Sequence, residues 1–262
     1  MSSSENMITK RVLVALDESA SGLAALDAAA HLASQIQAEL HGLFVEDDNL
    51  LRLASLPFAR EIDFMSAIPR PLDLPTVERT LRAKADQVRQ AIATTAQRTS
   101  VRWTFQVTRG RVAQTTLAAS SEVDAVIIGR ESSPLRTSSD VAGPSDRDVI
   151  LVVYDGSSAG QRVLEAAATL AAIHSSPIHV TVKATSEDEA NNLEKEASKW
   201  LTERGVESTC AGKTLKDARD LSVLVDRTHA KLLLLNRENQ LLDERSIEAL
   251  VTELDCPIGL VR

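Results

Sequence analysis

The chain has 262 residues, more than the roughly 100–150 of a typical domain, and its 44% hydrophobic and 25% charged residues predict a packed core and exclude wholesale disorder. Aromatic residues are only 3% of the chain, so that core is aliphatic and stacking platforms for bases are not expected. A net charge of −8 with no basic stripe opposes nucleic acid and anionic membranes as partners.

Met1 to Lys10 is polar and lacks the apolar stretch of a secretory signal, and no run approaches the ~20 apolar residues of a membrane span, so a cytoplasmic location is expected. From there, residues 12–16 form an apolar strand, a turn with Asp17 and Ser19 follows, and a helix with small residues at helical spacing comes next. A second strand at 40–45 completes a βαβ unit, which implies a parallel sheet with a right-handed crossover. The stretch 46–75 is long for an α/β connection and carries Pro57, Pro69, Pro71 and Pro75 beside Phe58, Phe64 and Met65. It reads as a lid, a docking surface or, the favoured alternative, an apolar cover over exposed sheet. Glu46, Asp47 and Asp48 at its entrance either repel an anionic ligand or solvate the loop.

Val77, Leu81, Ala85, Val88, Ile92 and Ala96 recur every three or four residues and define one face of a long helix. A strand at 103–107 leads through Gly110 into a short helix and a fourth strand at 125–128, and the segment 130–147, rich in Ser, Asp and Pro, reads as a linker.

The pattern then starts again. Residues 150–182 match 12–44 without a gap at an offset of 138: Asp17 falls on Asp155, Ser19 on Ser157, Gly22 on Gly160, Leu26 on Leu164 and His41 on His179. Strands are expected at 149–154 and 178–182, then a helix with Leu193, Ala197, Trp200 and Leu201 on one face, opened by a capping box of Ser186 with Glu189 and stopped by Gly205. Strands at 208–211 and 232–235, a helix over 246–254 and a last strand at 258–261 follow. The second repeat therefore has five strands and the first only four. The expected fold class is α/β: two tandem doubly wound parallel-sheet domains, 1–145 and 146–262, related by pseudo-twofold symmetry, the first lacking its last helix and strand.

In VLVALDES (12–19), ILVVYDGS (150–157), AELHGLFVEDD around His41, GRVAQTTLAAS and DAVIIG ending at Gly129, and the terminal CPIGLVR, the chain resembles the universal stress protein family in its tandem form. The resemblance implies a five-stranded α/β unit, binding of ATP or AMP by some members between strand ends, and dimers through the last strand. Nucleotide-binding members carry G-x2-G-x9-G-(S/T) after the fourth strand, whose glycines let backbone N–H groups approach the phosphates. Here Asn236 and Asn239 replace the two early glycines of the second repeat, Glu244 and Arg245 stand where Gly and Ser or Thr belong, and the loop is short. The Asn pair is expected to preserve the turn through its tolerance of positive φ, while Glu244 opposes a phosphate. In the first repeat Gly129 survives, Ser132 replaces the second glycine and Gly143 falls out of place. ATP or AMP is thus a candidate cofactor of the first domain only.

Asp17 and Asp155 end the first strand of each repeat, where open parallel sheets bind ligands; by resemblance this acid lies beside a nucleotide, and the alternative is that Asp17 with Ser19, and Asp155 with Ser157 and Ser158, only cap the next helix. The repeated His41 and His179 read as structural, and His31, His174 and His229 show no pairing logic. Cys210 and Cys256, far apart and without a CxxC partner, read as reduced thiols, and no metal site is expected. No catalytic residue emerges. The reading favoured by these observations is a stress-linked, non-enzymatic binding or regulatory module with an unidentified small ligand near Asp17, Ser19 and Gly129. The alternatives are an ATP- or AMP-binding protein with slow hydrolysis, and a pure protein-interaction module. Homodimerisation is expected through the edge of the four-stranded first sheet and the last strand of the second.

Overall fold

The computed structural model describes residues 10–16, 20–62, 69–119, 123–129, 149–215, 218–238, 244–254 and 256–262 of the chain. The proposed linker, Asp17, Ser19, Phe64, Met65, Ser132, Gly143 and Asn239 lie outside these residues.

The first repeat folds as β1 (Arg11–Leu16), α1 (Ala20–Gln35), β2 (Glu39–Asp47), α2 (Asp48–Ala54), β3 (Arg60–Ile62), β4 (Pro69–Pro71), α3 (Leu74–Thr99), β5 (Trp103–Gly110), α4 (Val112–Ala119) and β6 (Ala125–Gly129). The second gives β7 (Val149–Tyr154), α5 (Ser158–His174), β8 (Ile178–Val182), α6 (Glu187–Thr202), β9 (Ser208–Thr214), α7 (Ala218–Thr228), β10 (Ala230–Asn236), α8 (Glu244–Glu253) and β11 (Ile258–Val261). Local chemistry accounts for these boundaries. Asp73 caps α3 by accepting from the Thr76 N–H, and Pro75 sits in the first turn, where a missing N–H costs nothing. Ser186 accepts from the Glu189 N–H at the start of α6, and Gly205, at φ +70, turns the chain after that helix ends. The predicted face of α3 is the buried one, residue for residue.

Nine strands form one sheet in the order β5-β2-β1-β6-β11-β10-β7-β8-β9. Equivalent strands read the same from either edge, as a pseudo-twofold relation requires, and every neighbour is parallel except β6 with β11. Because strand residues alternate between faces, Val12, Val14, Leu40, Val152 and Leu234 bury beneath α1, α3, α5 and α6, whereas Leu13, Val126, Leu151, Leu233 and Leu260 bury against α7 and α8. Both apolar layers run unbroken across the β6–β11 junction.

Two expectations change here. The edge left by the missing strand of the first half is not exposed, because β11 crosses over and pairs with it antiparallel, Ile258 with Ile128 through to Val261 with Ala125. Four backbone-paired positions with buried side chains satisfy both edges at once, so the two edges expected to make a homodimer are spent inside one chain. That edge is therefore covered by β11 and not by the described residues of the long connection after β2. The connection makes helix α2, which packs on α3 and β2, and the small antiparallel hairpin β3–β4, with Phe58 at 76% and Ile62 at 69% exposed.

Candidate functional site

In each half the chain moves outward from the first strand, then returns to its other side: β1, β2, β5, then β6, and β7, β8, β9, then β10. The connections leave in opposite directions between β1 and β6 and between β7 and β10, opening a crevice at the carboxyl ends of those strands.

In the second half this crevice is built from Asp155, just past β7, and Asn236, the last residue of β10. Gly156 turns the chain at φ +73, where a Cβ would also stand 2.6 Å from Leu193 Cδ2. That turn lets Asp155 Oδ1 accept from the Ser157 N–H at 3.0 Å and the Ser157 hydroxyl at 2.6 Å, while Ser157 caps α5 by accepting from the Gly160 N–H at 2.9 Å. A Cβ on Gly160 would lie 2.4 Å from Asp155 Oδ1 and so displace the carboxylate. The other carboxylate oxygen, Oδ2, accepts from Asn236 Nδ2 at 3.3 Å, and Asn236 Oδ1 accepts from the Glu238 N–H at 2.9 Å. Asn236 is 3% exposed. Both oxygens of Asp155 are thus held by the protein itself: of the capping group read as one alternative from the sequence, Ser157 is the cap, Asp155 braces it, and Ser158 is the first residue of the helix.

Asn236 does not act as expected. It ends an extended strand, and the non-glycine residues with positive φ among the described ones are Gln37, Ser100, Ser175 and His229. Its side chain, not its backbone, does the work by bridging the two strand ends. Glu244 and Arg245 open α8, and Arg245 is exposed.

The first-half crevice has Gly129 in the corresponding place: it is the last residue of β6 and the register partner of Leu16, the last of β1. In the sequence Asp17 follows directly on Leu16, with Ser19 two residues further on. Of the acidic trio at the end of β2, Glu46 is 9% exposed and accepts from Arg109 Nε at 2.7 Å, and the same guanidinium reaches Glu78 at 3.4 Å. Asp47 caps α2 by accepting from the Asn49 N–H, and Asp48 is the helix's first residue. Sequence reading missed the Glu46–Arg109–Glu78 group; the signal was the register of β2 and β5, which sets Glu46 opposite Arg109.

The repeated histidines sit near the amino ends of their strands, away from both crevices. His41 Nδ1 lies 2.7 Å from the Thr104 hydroxyl and His179 Nδ1 2.8 Å from that of Thr209, each Thr being the histidine's register partner on the next strand. Burial pushes both imidazole pKa values below the usual range, with Arg11 adding to the effect at His41, against Glu39, and Arg227 at His179. The structural reading of the pair fits this symmetric clamp between strands. His41 borders a cavity of about 580 Å³ with Arg11, Glu39, Thr104 and Gln106. Buried Tyr154, beside the second crevice, donates its hydroxyl to Glu196 at 2.7 Å, and burial followed by that carboxylate pushes its pKa up, so it stays a neutral donor. Among the described residues Cys210 and Cys256 are not joined in a disulfide.

No family model matches the chain, and no curated protein does. Among solved structures it is similar to a universal stress protein from Archaeoglobus fulgidus DSM 4304, 14% identical over 97% of each chain with a TM-score of 0.53. It is also similar over under half its length to a protein of the universal stress protein family from Burkholderia pseudomallei, 20% identical over 45% of this chain and 98% of that one with a TM-score of 0.37. The universal stress protein from Archaeoglobus fulgidus in complex with dAMP is 16% identical over 44% of this chain and 98% of that one, with a TM-score of 0.37. The full-length match alone fixes the fold.

Proposed function

We propose that this chain, which carries the fold of the universal stress proteins, is a stress-linked, non-enzymatic binding or regulatory module of the cytoplasm. Its first-half crevice, beside Asp17, Ser19 and Gly129, takes a small ligand, and the equivalent second-half crevice is structural. One observation carries the division: the residue at the end of the returning strand is Asn236 in one half, whose side chain closes over Asp155, and Gly129 in the other, which has no side chain with which to close anything. Among the described residues no helix is long and apolar enough to cross a membrane.

ATP and AMP are the first ligands to test, as the family resemblance implies. Calorimetry on the full chain is expected to find one site, lost in Asp17→Ala and retained in Asp155→Asn, with little preference between the two nucleotides. Two equal sites, or one that survives Asp17→Ala, would sink the proposal, and release of ADP in the same cell would favour the slow-hydrolysis alternative. The pure protein-interaction reading is favoured by a separate observation, the exposed Leu53, Phe58 and Ile62 around the β3–β4 hairpin. Mass spectrometry of the native protein that finds no retained small molecule, with silent calorimetry, selects it.

The homodimer remains part of the proposal with its surface moved. The outer edges of the sheet are β5 and β9, and β5 leaves Trp103 and Val107 exposed. Light scattering is expected to give twice the chain mass at tens of micromolar, and a monodisperse monomer rejects it.

A further inference from the structure

Helices α1 and α5, one from each half, lie against each other on one face of the sheet. At that contact three potential metal ligands converge. Asp27 and His31 are four residues apart on α1 and so share a helix face, and His174, the last residue of α5, meets them from the other half. His31 Nδ1 is 3.3 Å and His174 Nε2 3.5 Å from the same oxygen, Asp27 Oδ2. The two rings meet edge to face with centroids 5.2 Å apart, and one donor atom from each of the three residues lies within 4.8 Å of the others. The second oxygen of Asp27 is bonded to Arg98 of α3, which fixes the carboxylate so that Oδ2 faces the imidazoles.

These distances suit a metal ion. Bonds of about 2.0–2.1 Å arranged tetrahedrally put neighbouring ligand atoms about 3.4 Å apart, close to the two separations found here. Two imidazoles and a carboxylate are the donor set of borderline divalent ions such as Zn²⁺, whereas Ca²⁺ and Mg²⁺ call for more oxygens. Arg98 stands where an outer-shell partner orients a ligating carboxylate. We propose that Asp27, His31 and His174 bind one divalent ion of the zinc class, with the fourth position left to water, and that the ion clamps α1 of the first half to α5 of the second. Without metal, His31 Nδ1 lies 2.9 Å from the Asp27 carbonyl oxygen; ligation through Nδ1 exchanges that contact for the ion and places the ring proton on Nε2. The site is single. Under the 138-residue repeat offset His31 corresponds to Thr169 and His174 to Ile36, neither of which is a comparable ligand.

The test uses the full chain, stripped with EDTA and titrated with Zn²⁺ against a chromophoric chelator at neutral pH. The expected result is one Zn²⁺ per chain, weakened at least tenfold in His31→Ala, His174→Gln and Asp27→Asn and unchanged in His229→Ala. A hundredfold excess over Kd should raise the melting temperature by about 5–10 °C in the parent chain and not in His174→Gln. His174 ends its helix, so that variant should keep the parent's circular dichroism. Co²⁺ in place of Zn²⁺ should show the visible absorption of a four-coordinate ion, lost in the same variants. Absence of stoichiometric Zn²⁺ binding overturns the proposal, and so does binding that survives His174→Gln and Asp27→Asn; either leaves the triad as a hydrogen-bonded seam between the helices.

Discussion

A fragment spanning 146–262 is expected to self-associate where the full chain keeps the same surface covered. In the full chain, Ile258, Leu260 and Val261 of β11 are 2%, 1% and 8% exposed, and the strand is paired on both sides, parallel to β10 and antiparallel to β6. Packing there is close: a Cβ on Gly259 would stand 2.4 Å from Leu234 Cδ2 and 3.8 Å from Ile127 Cγ1. Removing the first half strips one ladder of hydrogen bonds and uncovers the apolar side chains beside it, leaving a flat, uncharged edge. A second copy offers that edge its own complement through a twofold axis, antiparallel β11 against β11, the geometry β6 supplied. Light scattering at tens of micromolar should therefore report at least twice the fragment's mass, together with an α/β circular dichroism spectrum. A fragment with that spectrum and a monomeric mass would show that β11 does not depend on β6.

This junction shows where the sequence stops being informative. Apolar periodicity and the 138-residue repeat locate strands and helices because they are local consequences of which side chains must be buried. The predicted strands at 149–154, 178–182 and 258–261 match β7, β8 and β11 end to end. They also gave each half's share of the nine-stranded sheet, four strands and five, but not the separate β3–β4 hairpin. What they could not give was the partner of an unpaired edge. A buried strand reads as a run of apolar residues whichever neighbour covers it, so 258–261 was equally consistent with pairing inside the chain or between chains. The meeting of His31 with His174 was hidden for a related reason: the two positions are not equivalent in the repeat, and only the packing of α1 on α5 brings them together. The crevices were half legible. The acids at the ends of β1 and β7 follow from strand and turn, but the function of Asn236 depends on side-chain reach across two strands separated by some eighty residues.

That reach makes Asn236 the residue whose loss should disturb the second half most sharply among the crevice positions. Asn236→Ala removes the donor to Asp155 Oδ2 and the acceptor for the Glu238 N–H in one step. A hydrogen bond to a charged group contributes about 1.5–3 kcal/mol and one between neutral groups about 1 kcal/mol. Water entering the opened crevice returns part of this, since Asp155 is only half-buried and keeps both bonds to Ser157. A net loss of about 2–3 kcal/mol is expected, which at ~2–4 °C per kcal/mol lowers the melting temperature by about 4–12 °C. Ser157→Ala should cost less, about 1 kcal/mol, because it removes a helix cap whose remaining N–H groups can turn to water. Asn236→Asp separates a local electrostatic effect from a merely steric one. It sets two carboxylates within hydrogen-bond distance, so one of them must take up a proton with a raised folded-state pKa. The stability of this variant should be closest to the parent's in acid and fall as the pH rises through that pKa. Thermal melts of the three variants between pH 4 and pH 8 check the whole scheme. An Asn236→Ala chain that melts within a degree of the parent, or an Asn236→Asp chain whose deficit does not grow with pH, would show that Asn236 does not hold the crevice shut.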